Sequence, residues 1–367
     1  MADSLGLYLH IPFCKNKCPY CDFFSGKGSD EDYNAYCADL KNKINYWSNR
    51  TKRPVATVYF GGGTPSILGT KRLCELLGCI KERFSVEADA EITVEVNPDT
   101  GKELDFGALK NAGFNRVSIG FQTAEQNELK ALGRIHDVND ARLTVQNAQA
   151  AGIDNLSLDL MMGIPFQTAD SLKNSIDFCA SLEVKHISSY LLKIEQGTQF
   201  FEQRDFLRVA DGDKQADLYL LAVDYLNSLG YRQYEISNFA KAGFESRHNS
   251  IYWRCREYIG IGPSAHSFFE GKRFFYSRSM EDFKANILHD DGDGGYEEEY
   301  IMLALRLTSG LCFSDFRERF HKEVSPLLLK KTDKYISMNM MERDGQHISF
   351  TPKGFLVSNA ILGDLLS

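Results

Sequence analysis

The sequence lacks the features that mark membrane, secreted and nucleic-acid-binding proteins. No apolar run approaches the roughly 18 residues needed to cross a bilayer, and the first residues do not show a basic stretch followed by an apolar one. The nine cysteines are odd in number and irregularly spaced, which does not suggest a disulfide framework. A net charge of −8 without a long basic stripe would repel a phosphate backbone. These absences predict a cytoplasmic protein that binds no nucleic acid.

What the chain does contain is a regular alternation of strand-like and helix-like segments. Short runs rich in β-branched and aromatic residues are separated by segments of helical periodicity. Predicted strands cover residues 5–10, 57–60, 91–96, 116–120, 155–160 and 186–192, and predicted helices cover 31–47, 70–83, 103–112, 124–150 with a break, and 168–182. Six strand–helix pairs predict an α/β fold with a parallel sheet, either doubly wound or an incomplete (β/α)6 barrel of the TIM type. Polar residues after the strand ends favour the barrel.

A smaller domain is predicted at the C-terminal end. Residues 289–295, His-Asp-Asp-Gly-Asp-Gly-Gly, predict an exposed linker between a barrel domain with its extension at 1–288 and a second domain at 296–367. Helical runs near 297–308, 314–321 and 325–337 precede a hairpin at 341–350 with an Asp-Gly turn. This order is typical of a winged helix, an α+β module. Because the chain is acidic, we expect this module to serve packing or protein interaction and not DNA binding.

The most specific motif is a cysteine loop directly after the first predicted strand. Cys14, Cys18 and Cys21 lie within eight residues in the spacing Cys-x3-Cys-x2-Cys. Three thiolates can ligate three irons of a [4Fe–4S] cluster and leave the fourth iron free for a small molecule. Structural zinc usually has four ligands in two pairs, and Cys74 and Cys79 lack the spacing of a second pair. The loop therefore predicts an iron–sulfur cluster, with zinc as the competing hypothesis.

Glycine-rich and polar segments follow the later strands. The second strand is followed by a glycine run, where missing side chains let a ligand approach the main chain. Together with the polar residues that follow the later strands, the candidate residues are Gly62, Gly63, Thr64, Glu95, Gln122, Arg134 and Asp159. Each alone is also compatible with a turn or a solvated loop. Since ligands collect at the carboxyl ends of parallel strands, together they predict one binding site.

The cysteine spacing, with Tyr20 before the last cysteine, resembles the signature of radical S-adenosylmethionine (SAM) proteins. The chain further resembles the coproporphyrinogen-oxidase-like branch of that family. The resemblance implies that Cys14, Cys18 and Cys21 hold a [4Fe–4S] cluster whose open iron is chelated by SAM, the cofactor that supplies the radical chemistry. It also implies SAM contacts at the matching positions, which are Tyr8, Tyr20, Gly62, Gly63, Thr64, Glu95, Gln122, Arg134 and Asp159.

A histidine–aromatic segment at 248–253, His-Asn-Ser-Ile-Tyr-Trp, adds a further hypothesis. His248 is either a core histidine packed among aromatics or an axial ligand of heme iron. The pattern His-Asn-x-x-Tyr-Trp resembles that of heme chaperones in the same family, which implies heme binding at His248. His10, His136 and His266 are further candidate ligands.

Two functions are compatible with this resemblance. One is a heme chaperone that binds heme and passes it to an acceptor protein. The other is an oxygen-independent coproporphyrinogen III dehydrogenase of porphyrin biosynthesis, which shares the cofactor site. The dehydrogenase pattern has a fourth cysteine where this chain has Phe23, and a longer N-terminal arm than the 13 residues that precede Cys14 here. We therefore predict the chaperone, without dehydrogenase activity. The acceptor, peripheral membrane association and a homodimer are left open.

One further motif is discounted. Residues 260–265, Gly-Ile-Gly-Pro-Ser-Ala, satisfy the dinucleotide-binding pattern Gly-x-Gly-x-x-Ala. The acidic residue expected in a βαβ unit is missing, so we interpret the segment as a tight backbone passage.

Overall fold

The computed structural model describes residues 4–367, so residues 1–3 of the predicted first domain lie outside the described part. The first half of the chain consists of six strands that are separated by helices. The elements are β1 (Leu5–Ile11), α1 (Asp30–Ser48), β2 (Val55–Gly62), α2 (Gly69–Arg83), β3 (Val86–Val96), α3 (Pro98–Gly101), α4 (Phe106–Ala112), β4 (Arg116–Gln122), α5 (Gln126–Ala131), α6 (Val138–Ala150), β5 (Asn155–Met162), α7 (Ala169–Ser181) and β6 (His186–Leu191). All six predicted strands are confirmed, and the predicted break in 124–150 separates α5 from α6.

Polar side chains fix where the long helices begin. Ser29, Asp137 and Thr168 form capping boxes at the N-termini of α1, α6 and α7, each with a side chain three residues later. A capping box satisfies main-chain donors that have no partner within the helix. The starts of α1 and α7 therefore lie within one or two residues of the predicted positions.

A second group of elements extends the sheet at both ends. It comprises α8 (Gln199–Glu202), α9 (Gly212–Ser228), β7 (Arg232–Gln233), β8 (Asn238–Ala240), α10 (Arg247–Trp253), β9 (Tyr258–Ile261), β10 (His266–Phe269), β11 (Lys272–Tyr276), α11 (Met280–Ala285) and β12 (Leu288–Asp293). Strand β9 pairs in parallel with β1. At its end, Gly262 has a φ of +132°, and a Cβ there would lie 2.6 Å from the carbonyl oxygen of His10. The tight backbone passage predicted at 260–265 is confirmed.

The segment 289–295, predicted as an exposed linker, forms mainly an edge strand and not a loop. Most of it belongs to β12, which pairs antiparallel with β11, for example through Phe275 and His289. Aspartate and glycine are disfavoured in strands because they add little packing, so the composition predicted a loop. An edge strand with exposed side chains tolerates them, since its aspartates reach into solvent. The domain boundary itself stays a prediction.

The sheet has twelve strands in the order β12-β11-β10-β9-β1-β2-β3-β4-β5-β6-β8-β7. Strands β1 to β6 are parallel neighbours, but β1 pairs with β9 and β6 with β8, so the sheet stays open. The fold is the predicted incomplete (β/α)6 barrel. Alternation along the strands separates its faces, because successive side chains point to opposite sides. Val58, Val117 and Leu158 lie in the apolar core, whereas Tyr59 and Arg116 line a cavity on the inner side.

The C-terminal module has the predicted winged-helix-like order. It comprises α12 (Glu297–Ala304), β13 (Leu311–Cys312), α13 (Phe313–Phe320), α14 (Pro326–Ser337), β14 (Met341–Arg343), β15 (His347–Phe350), α15 (Pro352–Leu356) and α16 (Ser358–Leu365). The strand β13 and the helices α15 and α16 were not predicted from the sequence. The module docks on the sheet edge, where Ile236 N donates to Arg306 O at 3.1 Å and Thr308 N to Tyr234 O at 3.0 Å.

The helices of this fold are short or amphipathic. Among residues 4–367, none is both long and apolar enough to cross a bilayer.

Candidate cofactor site

A cavity of about 440 Å³ opens at the carboxyl ends of the central parallel strands. This volume lies within the range of about 300–1,000 Å³ that is typical of small-molecule sites. Most of the predicted site residues line it, namely Cys14, Cys18, Tyr20, Cys21, Gly62, Gly63, Thr64, Glu95, Gln122, Arg134 and Asp159. Tyr8 and His248 are not among the lining residues. The structure thus brings together residues that are up to 145 positions apart, from Cys14 to Asp159.

The cysteine loop is held in place by the protein itself. Its two ends pair, since Cys14 N donates to Gly26 O at 2.8 Å and Gly26 N donates to Pro12 O at 3.0 Å. Across the opening, the Arg278 guanidinium donates to both carboxylate oxygens of Asp22 at 3.1 and 2.8 Å. This forked pair ties the loop to the segment after β11, and it lowers the pKa of Asp22. Asp22 and Arg278 carried no sequence signal.

The three thiols differ in environment. Cys14 is buried with its Sγ 3.3 Å from the Thr64 hydroxyl, whereas Cys18 and Cys21 are half-buried. Burial raises the pKa of Cys21, with the neighbouring Cys18 and Cys14 acting in the same direction. Bound iron would reverse this, because a metal cation favours the thiolate.

The three cysteines supply the ligand types of an iron–sulfur cluster. Within residues 4–367, no three His, Cys, Asp or Glu side chains converge closely enough to hold one metal ion. The three thiols nevertheless border one cavity. Thiolates that border one cavity can each bind a different iron of a [4Fe–4S] cluster.

The glycine run forms a cradle that any side chain would fill. Gly62 has a φ of +111°, and a Cβ there would lie 2.7 Å from the His10 ring. A Cβ on Gly63 would lie 2.6 Å from Phe13 O. Both distances are too short for a real contact, so only glycine lets the main chain run this close to the cysteine loop. The Gly62 N–H donates to Glu95 at 3.2 Å.

Two carboxylates lie inside the desolvated cavity. Glu95 accepts the Tyr59 hydroxyl at 2.7 Å, and Asp159 accepts the Ser118 hydroxyl at 3.2 Å. Burial raises the pKa of Glu95 to about 7, although the Tyr59 hydrogen bond opposes this. Burial also raises the pKa of Asp159, which the positive charge of Arg116 counteracts. These groups suit a ligand with an ammonium group and hydroxyls.

Arg134 and Tyr20 form the other wall. Arg134 Nε and Nη2 donate to the Tyr20 hydroxyl at 3.1 and 2.6 Å, and Nη1 donates to Asn97 Oδ1 at 2.9 Å. The acceptors are neutral oxygen atoms, so the guanidinium charge stays available to an anion. The Tyr20 ring packs beside Phe200, with 6.1 Å between ring centroids. A planar group could therefore rest against an aromatic wall next to a cation.

Several lining residues were missed from the sequence. They are Asn97, Arg116, Ser118, Ser188, Tyr190 and Asn249. Arg116 is 1% exposed, and its Nε has no hydrogen-bond partner. A signal did exist, because Arg116 and Ser118 alternate with buried apolar Val117 and Ile119. That period of two marks a strand with a polar inner face.

The predicted heme-ligand histidines do not border this cavity. His248 is buried on α10, and its ring nitrogens bond to Thr57 Oγ1 and to the Tyr252 hydroxyl, each at 2.7 Å. Burial lowers its pKa to about 3, so the ring is neutral. His10 is similarly engaged by Phe24 O at 2.8 Å and by the Tyr8 hydroxyl at 3.1 Å. Heme ligation by His248 would first require the loss of one of its two hydrogen bonds.

His136 and His266 have contrasting environments. His136 is buried, and its Nε2 lies 3.1 Å from Phe121 O. His266 is exposed and stacks on Phe275, with ring centroids 5.0 Å apart. Among the four histidines predicted as heme ligands, His266 is thus the exposed one.

Comparison with known proteins agrees with this geometry. Residues 8–179 match the Radical SAM superfamily, and residues 297–357 match the HemN C-terminal domain. The chain is 33% identical to heme chaperone HemW of Bacillus subtilis over 98% of both chains. It is 40% identical to heme chaperone HemW of Escherichia coli over 71% of this chain and 69% of that protein. The solved structure of coproporphyrinogen III oxidase (HemN) from Escherichia coli superposes with a TM-score of 0.84 at 21% identity, covering 100% of this chain and 91% of that one.

The open barrel, the cysteine loop and the glycine cradle define a radical SAM protein with a HemN-type C-terminal domain. Such proteins carry a [4Fe–4S] cluster and SAM, and the thiols and cradle described above fit both groups. Within this class, the chain belongs to the family of heme chaperone HemW proteins.

Proposed function

We propose that this protein is a heme chaperone that binds heme and transfers it to an acceptor protein. The observation that carries the proposal is the likeness to heme chaperone HemW of Bacillus subtilis over 98% of both chains. A likeness of that extent includes the C-terminal module as well as the barrel.

Different residues of the cavity bind different parts of the two cofactors. Cys14, Cys18 and Cys21 would hold the cluster, which would supply reducing electrons for chemistry on SAM. The main chain from Gly62 to Thr64 and the Glu95 carboxylate receive the SAM ammonium group. Asp159 accepts from ribose hydroxyls, and Arg134 pairs with the methionine carboxylate.

Three further residues complete this assignment. Tyr20 packs near the adenine, and Gln122 lines the same cavity. Tyr8 lies outside the lining and acts through His10, to which its hydroxyl bonds at 3.1 Å. Its role is to orient His10 beneath the glycine cradle.

The proposal is tested by anaerobic reconstitution with iron and sulfide, followed by heme titration. We expect a saturable change in the heme absorption spectrum. Heme transfer is measured with apomyoglobin as the probe acceptor. The rate of transfer from this protein is compared with the rate at which apomyoglobin takes up heme released from serum albumin. Absence of saturable heme binding in the cluster-loaded protein would reject the proposal.

The competing function is coproporphyrinogen III dehydrogenase. The superposition on HemN does not favour it, because at 21% identity that likeness shows the fold alone. Phe23, which stands where the dehydrogenase pattern has a fourth cysteine, is 65% exposed. Its side chain offers no thiolate to a cluster, although its main-chain carbonyl accepts from Lys17 Nζ at 3.1 Å.

His248 stays our predicted axial ligand of heme. Its replacement by alanine is expected to change the heme spectrum and weaken retention. An unchanged stoichiometry, affinity and spectrum would place the ligand elsewhere.

A further inference from the structure

Tyr59 on β2 lies between the cofactor cavity and helix α10. It is a largely buried residue that lines the cavity. Two consecutive residues of α10 lie on either side of this wall, since Asn249 also lines the cavity and His248 is buried. Tyr59 is therefore placed to contact both the cofactor residues and the helix that carries the predicted heme ligand.

The hydroxyl of Tyr59 contacts the cofactor side. It donates to Glu95 Oε1 at 2.7 Å, and Glu95 Oε2 accepts from the Gly62 N–H at 3.2 Å. Burial raises the pKa of Tyr59 well above its ordinary value, so the hydroxyl keeps its proton and can donate it. Because each carboxylate oxygen has its own donor, the orientation of Glu95 is fixed before a ligand binds.

A glycine makes room for this contact. A Cβ at Gly61 would lie 2.8 Å from a ring carbon of Tyr59 and 3.1 Å from Glu95 Oε1. The first distance is too short for a real contact, so a larger residue at this position would displace the Tyr59 ring. The glycine run thus has a second effect besides opening the main chain to a ligand, because it lets Tyr59 reach Glu95.

The ring of Tyr59 contacts the α10 side. It stacks on the His248 imidazole, with 5.0 Å between the ring centroids and 22° between the ring planes. This contact uses the face of the imidazole, whereas its nitrogens bond at the edge to Thr57 and Tyr252. Ligation of heme by His248 would break one edge bond and leave the stacked face in place. Tyr59 can therefore hold the orientation of His248 while one nitrogen changes partner.

Titratable and charged groups surround Glu95 from six elements. They are Tyr8 on β1, Tyr59 on β2, Arg116 on β4, Asp159 on β5, Tyr190 on β6 and Tyr252 on α10. Burial raises the pKa of Glu95, and the Tyr59 hydrogen bond opposes burial more strongly than the Gly62 N–H or Arg116 does. Loss of the Tyr59 hydroxyl should therefore raise the pKa of Glu95 further.

We propose that Tyr59 is a positioning residue that holds two groups at once, the Glu95 carboxylate through its hydroxyl and the His248 imidazole through its ring. This inference rests on the proposed function, in which Glu95 receives the SAM ammonium group and His248 ligates heme. It adds the side chain that joins the two sites. Since the hydroxyl and the ring act on different ligands, the two roles can be removed separately.

The test uses two variants of the full-length, cluster-loaded protein. Tyr59→Phe removes the hydroxyl and keeps the ring, and Tyr59→Met removes both. In both variants the rise of SAM affinity with pH should move up by about one pH unit, so SAM binding at about pH 6–7 should be about 10-fold weaker. The absorption spectrum of bound heme should be altered in Tyr59→Met and nearly retained in Tyr59→Phe.

Tyr231→Phe is the matched control, because Tyr231 is buried, donates to Val184 O at 2.7 Å and is not among the residues that line the cofactor cavity. It should bind SAM and heme as the unmodified protein does. An unchanged pH profile of SAM affinity in Tyr59→Phe would overturn the inference, and so would an unchanged heme spectrum in Tyr59→Met.

Folding and function are separated in the same experiment. Tyr59→Phe keeps the packing of the ring, so its SAM profile decides the role of the hydroxyl even where Tyr59→Met folds poorly. If the unmodified protein binds no heme, the proposed function fails, whereas a shifted SAM profile in Tyr59→Phe would still support the contact between Tyr59 and Glu95.

Discussion

Gln122 adopts an unfavourable backbone conformation that places its side chain in the cofactor cavity. Its φ of +77° lies in the left-handed region, and the pairing of β4 with β5 shifts register between Ile119 and Gln122. A non-glycine residue in this conformation costs roughly 1–2 kcal/mol. In return, the irregularity at the strand end directs the side chain into the cofactor cavity.

Replacement of Gln122 by glycine should therefore separate the two effects. We expect the free energy of unfolding to stay the same or rise by up to about 1 kcal/mol, because glycine relieves the strain. SAM binding should become weaker, because the amide is lost. Chemical denaturation and calorimetric titration measure the two quantities, and a lower free energy of unfolding with unchanged SAM affinity would contradict this account.

The three cysteines of the loop should be individually indispensable. Cys18→Ala should abolish the visible spectrum of a [4Fe–4S] cluster after reconstitution, because three irons would have only two thiolates. Cys74→Ala provides a matched control, since Cys74 is also half-buried but lies on α2. A full complement of iron and sulfide in Cys18→Ala would falsify the cluster assignment.

Glu95 predicts a pH dependence of cofactor binding. Its pKa is about 7, so the carboxylate forms over the range of about pH 6–8, and SAM affinity should rise with pH there. In Glu95→Gln the affinity should be lower and the slope flatter, while the exposed Glu103→Gln behaves as the unmodified protein. A slope that is unchanged in Glu95→Gln assigns the titration to another group.

The raised pKa of Glu95 has the opposite effect on stability: SAM affinity rises with pH, but the free energy of unfolding falls. Because the pKa of Glu95 is raised above the ordinary 4.5, the folded protein binds more protons than the unfolded chain between these values. Its contribution to the free energy of unfolding therefore falls as the pH rises from about 4.5 to about 7. SAM binding therefore improves over a pH range in which ionisation of Glu95 has already lowered the free energy of unfolding.

At the scale of elements, helix α10 is held by a strand that is remote in sequence. The carboxylate of Glu91 on β3 accepts from the main-chain N–H groups of Arg247 at 3.0 Å and His248 at 2.9 Å. Ser246 caps the same helix through its side chain. A buried carboxylate at a helix N-terminus satisfies donors that lack partners within the helix.

Glu91→Gln should accordingly loosen α10. We expect a loss of about 1–3 kcal/mol in the free energy of unfolding, since a charge-assisted bond is replaced and one donor is left unpaired. Hydrogen exchange at the amides of Arg247 and His248 should accelerate. Glu103→Gln, on an exposed turn, should leave both measurements unchanged, and equal protection in the two variants would disprove the role of Glu91.

The elements also show what sequence patterns can and cannot supply. Strands β1 to β6 were predictable because each is a dense apolar run between polar segments. Strands β9 to β12 were not, because short strands with residues such as Asp290 and Gly292 gain their stability from neighbours outside their own segment. At the cavity, motif residues were found, but Arg116 was missed because no motif marks it.

At the scale of the whole molecule, the fold provides a site for the radical SAM cofactors, but that site alone does not determine the substrate. We predict that the reconstituted protein binds heme and does not convert coproporphyrinogen III to protoporphyrinogen IX. Such a conversion requires the substrate propionate beside the reacting carbon, and a misplacement of about 1 Å can lower the rate about 100-fold. Anaerobic incubation with reductant and SAM, followed by porphyrin chromatography, tests it. Cluster-dependent product over many turnovers would favour the dehydrogenase.

The acidic strand β12 has a consequence for solubility. An open sheet exposes unpaired main-chain groups at its outermost strands, and these invite pairing with another copy. At one end the strand β7 has only two residues, and at the other end Asp290, Asp291 and Asp293 are exposed. The aspartates on β12 of one copy and on β12 of another copy repel each other at neutral pH, so self-association through β12 is disfavoured at that pH. Loss of these charges would remove that repulsion, which makes β12 the place where aggregation should then start.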